Sequence, residues 1–93
     1  MEGLVKALLE KIEADVRLSP THLGLIMGIL HKGIPVAGAN GMVVSRRKLM
    51  AFAKLKATST YHRSMNQLIA FGYFTYHPSY DPKSATVVNF INL

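Results

Sequence analysis

The sequence predicts a small α+β domain in which helices come first and an antiparallel β-hairpin closes the chain. Two observations favour this class. Up to Gly72, apolar residues recur at three- and four-residue intervals, which places them on one face of a helix. Beyond Gly72, the segments 73–76 and 86–93 have the composition and alternation of strands, and turn-forming residues separate them. A chain of 93 residues has room for one such domain.

The first predicted helix spans residues 2–17 and carries an apolar stripe of its own. The stripe consists of Val5, Leu8, Leu9, Ile12 and Val16. Such a stripe needs a covering surface, because exposing it to water is costly. The sequence leaves two possibilities open, packing on the core of the same chain or service as a dimerisation arm. We therefore divide the chain into this helix, residues 1–17, and a main domain, residues 18–93.

The second helix is predicted to begin at Ser19-Pro20, because serine is a good N-cap and proline fits the first helical position. The residues expected on its buried face are Leu23, Ile26, Met27 and Leu30. Gly33 is expected to end this helix and to open a loop over 33–41, where glycines and a proline break the periodicity. Residues 42–44 are short, apolar and β-prone, and predict a small strand.

Residues 45–76 contain six of the eleven basic residues of the chain and no acidic residue. We interpret them as a helix over 45–53, a turn at 54–56 and a second helix over 58–71 that Gly72 caps. The second helix has an apolar face of Tyr61, Met65, Leu68 and Ile69. Its opposite, polar face consists of Ser59, His62, Arg63 and Asn66.

The remainder predicts a β-hairpin. Its first strand covers 73–76, its second strand covers 86–93 with Val88 and Phe90 facing the core, and a polar loop over 77–85 joins them.

Charge is unevenly distributed along the chain. Residues 1–17 carry four acids and three bases, whereas residues 18–93 carry eight bases and a single acid, Asp81. Such asymmetry, in a chain of net charge +6, indicates a polyanionic partner.

Several classes of protein are disfavoured. There is no cysteine, which excludes a disulfide scaffold and thiolate metal sites. The four histidines, His22, His31, His62 and His77, lack the spacing of metal ligands. Acidic residues are too few for a catalytic triad. We therefore expect no metal, no cofactor and no enzyme. No apolar run approaches the roughly 20 residues that cross a bilayer, so we expect a soluble, cytoplasmic protein without a membrane partner.

Several short motifs follow one another in a familiar order. They are Ser45-Arg46, Leu49-Met50, Thr60-Tyr61-His62, Gly72-Tyr73 and Tyr76-His77-Pro78-Ser79-Tyr80. Over about Pro20 to Leu93 they resemble small single-domain winged helix-turn-helix proteins of bacteria, which are identified as transcriptional regulators or are associated with mobile elements. The resemblance implies a three-helix core plus a C-terminal hairpin wing, here with an additional N-terminal helix. One departure is Ala57, where that family often has a capping Ser or Thr, so we expect Thr58 or Ser59 to cap instead.

The resemblance implies that the helix over 58–71 reads double-stranded DNA in the major groove. Arg63 suits guanine O6 and N7, and Asn66 suits adenine N6 and N7. The candidate base-reading residues are Ser59, His62, Arg63 and Asn66. The candidate phosphate contacts are Arg46, Arg47, Lys48, Lys54, Lys56, Thr58 and Thr60. Tyr80 and Lys83, in the wing, are expected to contact flanking DNA.

The leading hypothesis is a sequence-specific DNA-binding protein that regulates transcription as a homodimer. Two alternatives stay open at this point. One is an architectural, excisionase-like factor that bends DNA in recombination, and the other is a winged-helix module whose basic face binds an acidic protein.

Overall fold

The computed structural model describes residues 2–35, 41–77 and 86–91, and within them the predicted α+β class is confirmed. The described part contains four helices and one four-stranded antiparallel sheet. In chain order the elements are α1 (Glu2–Ala14), α2 (Pro20–Lys32), β1 (Ile34–Pro35), β2 (Gly41–Val44), α3 (Arg46–Phe52), α4 (Thr58–Ala70), β3 (Phe74–His77) and β4 (Thr86–Phe90). Among these helices there is none whose length and apolar character would let it traverse a bilayer.

The sheet has the strand order β1-β2-β4-β3, so the last strand of the chain lies between two earlier ones. Val88 of β4 is paired with Met42 of β2 on one side and with Tyr76 of β3 on the other. Directly opposed residues share a face of an antiparallel sheet, so these three side chains point the same way, towards the helices. Val88 and Phe90 are buried, as predicted.

The strands differ from the sequence prediction at several positions. β2 begins one residue early, at Gly41, and β4 ends at Phe90 instead of continuing to residue 93. Ile34 and Pro35 form the edge strand β1, paired with Val43 and Met42, where we expected only a loop. A proline is tolerated there because an edge strand needs no donor on its outer side. β3 begins one residue late, at Phe74, because the Tyr73 N–H closes α4 by donating to the Leu68 carbonyl (3.0 Å).

One hydrophobic core joins the sheet to all four helices. Its buried members are Leu8, Leu25, Ile26, Ile29, Met42, Val44, Leu49, Tyr61, Met65, Leu68, Tyr73, Phe74, Val88 and Phe90. Leu8 of α1 belongs to this core, and Leu4 and Ile12 pack against it. The part of α1 that carries these three residues therefore has its covering surface within the same chain.

Three parts of the α1 prediction are wrong. The helix ends at Ala14 rather than at residue 17, Leu9 is 44% exposed, and Val16 is 97% exposed. Leu9 is exposed because it lies beside the face of α1 that Leu8 and Ile12 turn to the core. The early end of the helix is explained by Asp15, whose carboxylate accepts hydrogen bonds from the Arg17 backbone N–H (3.0 Å) and from the Arg17 guanidinium (2.8 and 2.9 Å). These bonds turn the chain away from the helix axis and direct Val16 into solvent.

Asp15 and Lys11 also join the end of α1 to the two residues that precede β3. The Tyr73 hydroxyl donates to the Asp15 carboxylate (2.9 Å), and Lys11 Nζ donates to the Gly72 carbonyl (2.6 Å). The Arg17 guanidinium bonded to Asp15 holds the pKa of that carboxyl well below its usual range. Burial and the Asp15 contact raise the pKa of Tyr73 to about 12.

The start and end of α2 are as predicted, but its buried face is wider and rotated. Ser19 caps the helix, and its hydroxyl accepts the His22 N–H. Ile26 is buried as expected, Leu23 is exposed, and the unpredicted Leu25 and Ile29 are buried. Met27 and Leu30, which we expected to be buried, are only half-buried. The cause is that α2 contacts α3, α4 and β2, so apolar residues are needed on more than one side.

Two glycines let α3 approach α2 closely. A Cβ atom at Gly24 would lie 3.2 Å from Ala53 Cβ, and one at Gly28 would lie 3.2 Å from Phe52 Cδ1 and 3.3 Å from Leu49 Cδ2. This close packing fixes the position of α3, and with it the turn that leads into α4.

Candidate nucleic-acid interface

The candidate interface is built on α3, the turn at 53–57 and α4. α3 begins after Ser45, whose hydroxyl accepts the Lys48 N–H (3.4 Å), as predicted. The helix buries Leu49 and exposes its first-turn cations Arg46, Arg47 and Lys48. Cations in a first turn oppose the helix dipole, so these three residues do not stabilise the helix in which they lie.

The turn after α3 is a Schellman motif with a lysine at its left-handed position. Lys54 has φ 61°, its N–H donates to the Ala51 carbonyl (3.3 Å), and the Leu55 N–H donates to the Met50 carbonyl (2.8 Å). Leu55 and Met50, the two residues that such a motif brings together, both pack against the core. Lys54 and Lys56 are exposed on either side of Leu55, as the sequence predicts.

α4 begins at Thr58 without a side-chain cap. Ala57 occupies the N-cap position and makes no side-chain hydrogen bond, so the prediction that Thr58 or Ser59 caps the helix is wrong. The alanine side chain has no hydrogen-bond acceptor, so the backbone N–H groups of the first turn have no acceptor from the N-cap side chain.

The two faces of α4 are as predicted. Tyr61, Met65 and Leu68 are buried and Ile69 packs against the core. The four candidate base-reading residues, Ser59, His62, Arg63 and Asn66, are all exposed. The helix ends one residue earlier than expected, at Ala70, in a second Schellman motif with Gly72 at φ 85°. These four side chains therefore lie together on one face of α4, and the opposite face of this helix is packed into the core.

The candidate phosphate contacts are exposed as well, except for Thr60, which is half-buried. In the described part of the chain the only ion pair joins Arg17 to Asp15. None of the exposed cations of α3, the turn and α4 has an acidic partner among those residues. The acids of the described chain all lie in its first 15 residues, whereas this surface is uniformly basic.

The base of the β3–β4 hairpin lies near the start of α3 and the first half of α4. Burial and Tyr76 raise the pKa of Tyr61 to about 12, and the Arg46 guanidinium opposes this shift. The strand register agrees, because Thr86, at the hairpin end of β4, pairs with Val44 just before α3. His77 belongs to β3 rather than to the loop, and the predicted wing residues Tyr80 and Lys83 lie outside the described residues.

Sequence reasoning missed one polar pair that crosses from α2 to α4. The buried ring of His22 lies with its Nε2 atom 2.8 Å from Gln67 Oε1, and its Nδ1 atom accepts the Ser19 N–H (2.9 Å). Gln67 is exposed and follows Arg63 by one helical turn. The only local signal was the three-residue spacing from Ser19 to His22, in which histidine replaces the Glu or Gln of an ordinary capping box.

No group of three or more histidine, aspartate or glutamate side chains in residues 2–35, 41–77 and 86–91 is arranged to hold a metal ion. Comparison with protein-family models, with curated proteins and with solved structures yields no match for this chain.

Proposed function

We propose that this protein is a sequence-specific double-stranded DNA-binding protein of the winged helix-turn-helix class that regulates transcription. In this proposal α2, α3 and α4 are the three-helix core, β2, β3 and β4 are its sheet, and α4 is the recognition helix. The order helix, strand, helix, helix, hairpin supports the assignment. The short turn between α3 and α4, closed by Leu55 against the core, also supports it.

One observation carries the proposal. The outward face of α4 presents Ser59, His62, Arg63 and Asn66 beside a surface of exposed cations that have no acidic partner among the described residues. A buried ion pair or a structural salt-bridge network would place acids there. A surface of unpaired cations around hydrogen-bonding side chains is instead suited to phosphates around base edges.

The residues divide by the contact that each is suited to make. Arg63 offers a planar pair of donors for guanine O6 and N7, and Asn66 offers a donor and an acceptor for adenine. The cations before α4 are suited to phosphates, and the lack of an N-cap side chain at Ala57 leaves backbone donors available beside Lys56. If five cations each neutralise one phosphate, the logarithm of affinity should fall with the logarithm of salt concentration with a slope of about −4 to −5.

The proposal is tested by selecting bound duplexes from a random DNA pool and measuring affinity against salt. Arg63→Ala is expected to lose about 1–3 kcal/mol and to relax preference at one position, whereas Lys56→Ala should weaken all sequences alike and reduce the slope by about 1. Lys6→Ala, which removes an exposed cation of α1, is the matched control and should change neither. Absence of salt-dependent duplex binding by the wild-type protein at about 50 mM salt would refute the proposal.

The homodimer expected from the sequence remains a prediction. Two recognition helices on one duplex require half-sites roughly 34–36 Å apart. A selected site without two-fold symmetry, bound by a single copy in sedimentation experiments, would contradict it.

A further inference from the structure

The hydrogen bonds around His22 determine which of its nitrogens carries the proton. His22 is only 5% exposed, and its Nδ1 atom lies 2.9 Å from the backbone nitrogen of Ser19. A backbone N–H can only donate, so Nδ1 must be the bare acceptor nitrogen. The ring is therefore neutral with its proton on Nε2, and Nε2–H donates to Gln67 Oε1 at 2.8 Å.

This chain of hydrogen bonds orients the Gln67 amide. The amide oxygen faces His22, which leaves the NH2 group for another partner. This NH2 group has no hydrogen-bond partner among the described residues. Gln67 is an exposed residue, so a partner in solution can approach this amide. A surface glutamine ordinarily loses rotamer freedom when it binds a ligand. Gln67 is already held by the buried ring, which reduces that loss.

We propose that the Gln67 amide donates a hydrogen bond to a phosphate oxygen of bound DNA and that His22 is its positioning residue. This inference rests on the proposed function. Gln67 is the tenth residue of α4, about 14 Å along the axis from its first residue. Gln67 is also rotated by about 100° around α4 from Asn66, towards α2, to which its oxygen is bonded. Its donor therefore lies beside the base-reading stripe and suits the DNA backbone. A group that offers only donors outward suits an anionic oxygen.

Gln67→Glu separates binding from structure. A carboxylate at this position still accepts the His22 Nε2–H bond, so the thermal unfolding midpoint should stay near that of the wild type. The substitution removes the outward hydrogen-bond donor and adds a negative charge that a phosphate repels. We expect the affinity for a 30-base-pair duplex of mixed sequence at 50 mM salt to fall about tenfold for Gln67→Ala and further for Gln67→Glu. Because glutamine is uncharged, the salt slope of Gln67→Ala should equal that of the wild type, unlike that of Lys56→Ala.

The role of His22 is tested by the order of the Gln67 amide. Gln67 is the only glutamine in the chain, so glutamine-specific 15N labelling gives one side-chain NH2 signal pair. In the free protein we expect 15N relaxation to show a rigid amide, and addition of the duplex should shift its signals. His22→Phe, which removes the donor, should make the amide mobile and weaken DNA binding. His22→Gln, which restores a donor, should recover much of both.

The outcomes distinguish this inference from the proposed function. If the wild type binds the duplex with salt dependence but Gln67→Glu binds equally well, the Gln67 contact is wrong and the proposed function stands. If the wild type does not bind the duplex, both are wrong. A Gln67 amide that is mobile in the free wild-type protein overturns the positioning role of His22. Should His22→Phe prove unfolded by circular dichroism, the Gln67→Glu affinity decides.

Discussion

Lys54→Gly should make the protein more stable and its DNA binding weaker. The chain closes two helices with the same Schellman motif, and the left-handed residue is Gly72 after α4 but Lys54 after α3. An L-residue in the left-handed region costs roughly 1–2 kcal/mol that glycine does not incur. Glycine in turn gives the unfolded chain more freedom, which offsets about 0.4–1 kcal/mol of that gain. The net expectation is a stabilisation of about 0.5–1 kcal/mol.

For a domain of this size, that free energy raises the unfolding midpoint by about 2–8 °C. The assay is thermal unfolding followed by circular dichroism, with urea unfolding as an independent measure. Lys54→Ala is the matched control, because it removes the same charge and the same side chain beyond Cβ while keeping the left-handed strain. Both variants should lower DNA affinity alike and reduce the salt slope by about 1.

Equal stability of Lys54→Gly and Lys54→Ala would refute the claim that Lys54 is strained. A stabilised glycine variant with undiminished DNA binding would instead show that the strain is unrelated to the proposed contact. The expected result, greater stability with weaker binding, is the pattern of a residue whose backbone cost is retained for a function.

Two further predictions concern how α1 is held. Leu8→Ala should cost about 2–5 kcal/mol of unfolding free energy, because Leu8 is fully buried. Leu9→Ala, at a side chain that is nearly half exposed, should cost less than about 1 kcal/mol. Equal losses of the two variants in urea unfolding would contradict the packing of α1 on its own chain. The lowered pKa of Asp15 means that its stabilisation is present above the ordinary value of 3.8 and is lost as the pH falls below it. Asp15→Asn should therefore be less stable than the wild type at pH 7, with the gap in unfolding midpoint narrowing towards pH 2, and a gap that stays constant would contradict the role of the Arg17 and Tyr73 contacts.

The helices that carry the candidate site were largely predictable, because their signals are local. Ser19 and Gly72 mark a helix start and a helix end through their own backbone and side-chain chemistry. The polar stripe of α4 follows from a period of 3.6 residues, and the exposure of Arg63 and Asn66 follows from it. The α+β class was predictable for the same reason.

The errors arise where a distant residue decides the local structure. Val16 continues the apolar spacing of α1, yet the helix ends at Ala14, because Asp15 bonds instead to Arg17 and to Tyr73, which lies 58 positions further along the chain. The edge strand β1 forms although Gly33 precedes it and Pro35 lies within it, because β2 supplies its pairing partner. The apolar spacing within one segment gives no information about such distant partners.

What the sequence alone determined is the order of the helices, the class of the fold and the segregation of charge, which together predict a basic helical surface. The tertiary structure decided where α1 packs, that Lys54 adopts the left-handed conformation, and that His22 holds Gln67 across 45 positions of the chain. The physical reason is the sequence separation over which each interaction acts. Backbone propensity and amphipathic spacing act over a few residues, whereas a buried hydrogen bond or a close helix contact exists only once the fold brings its partners together.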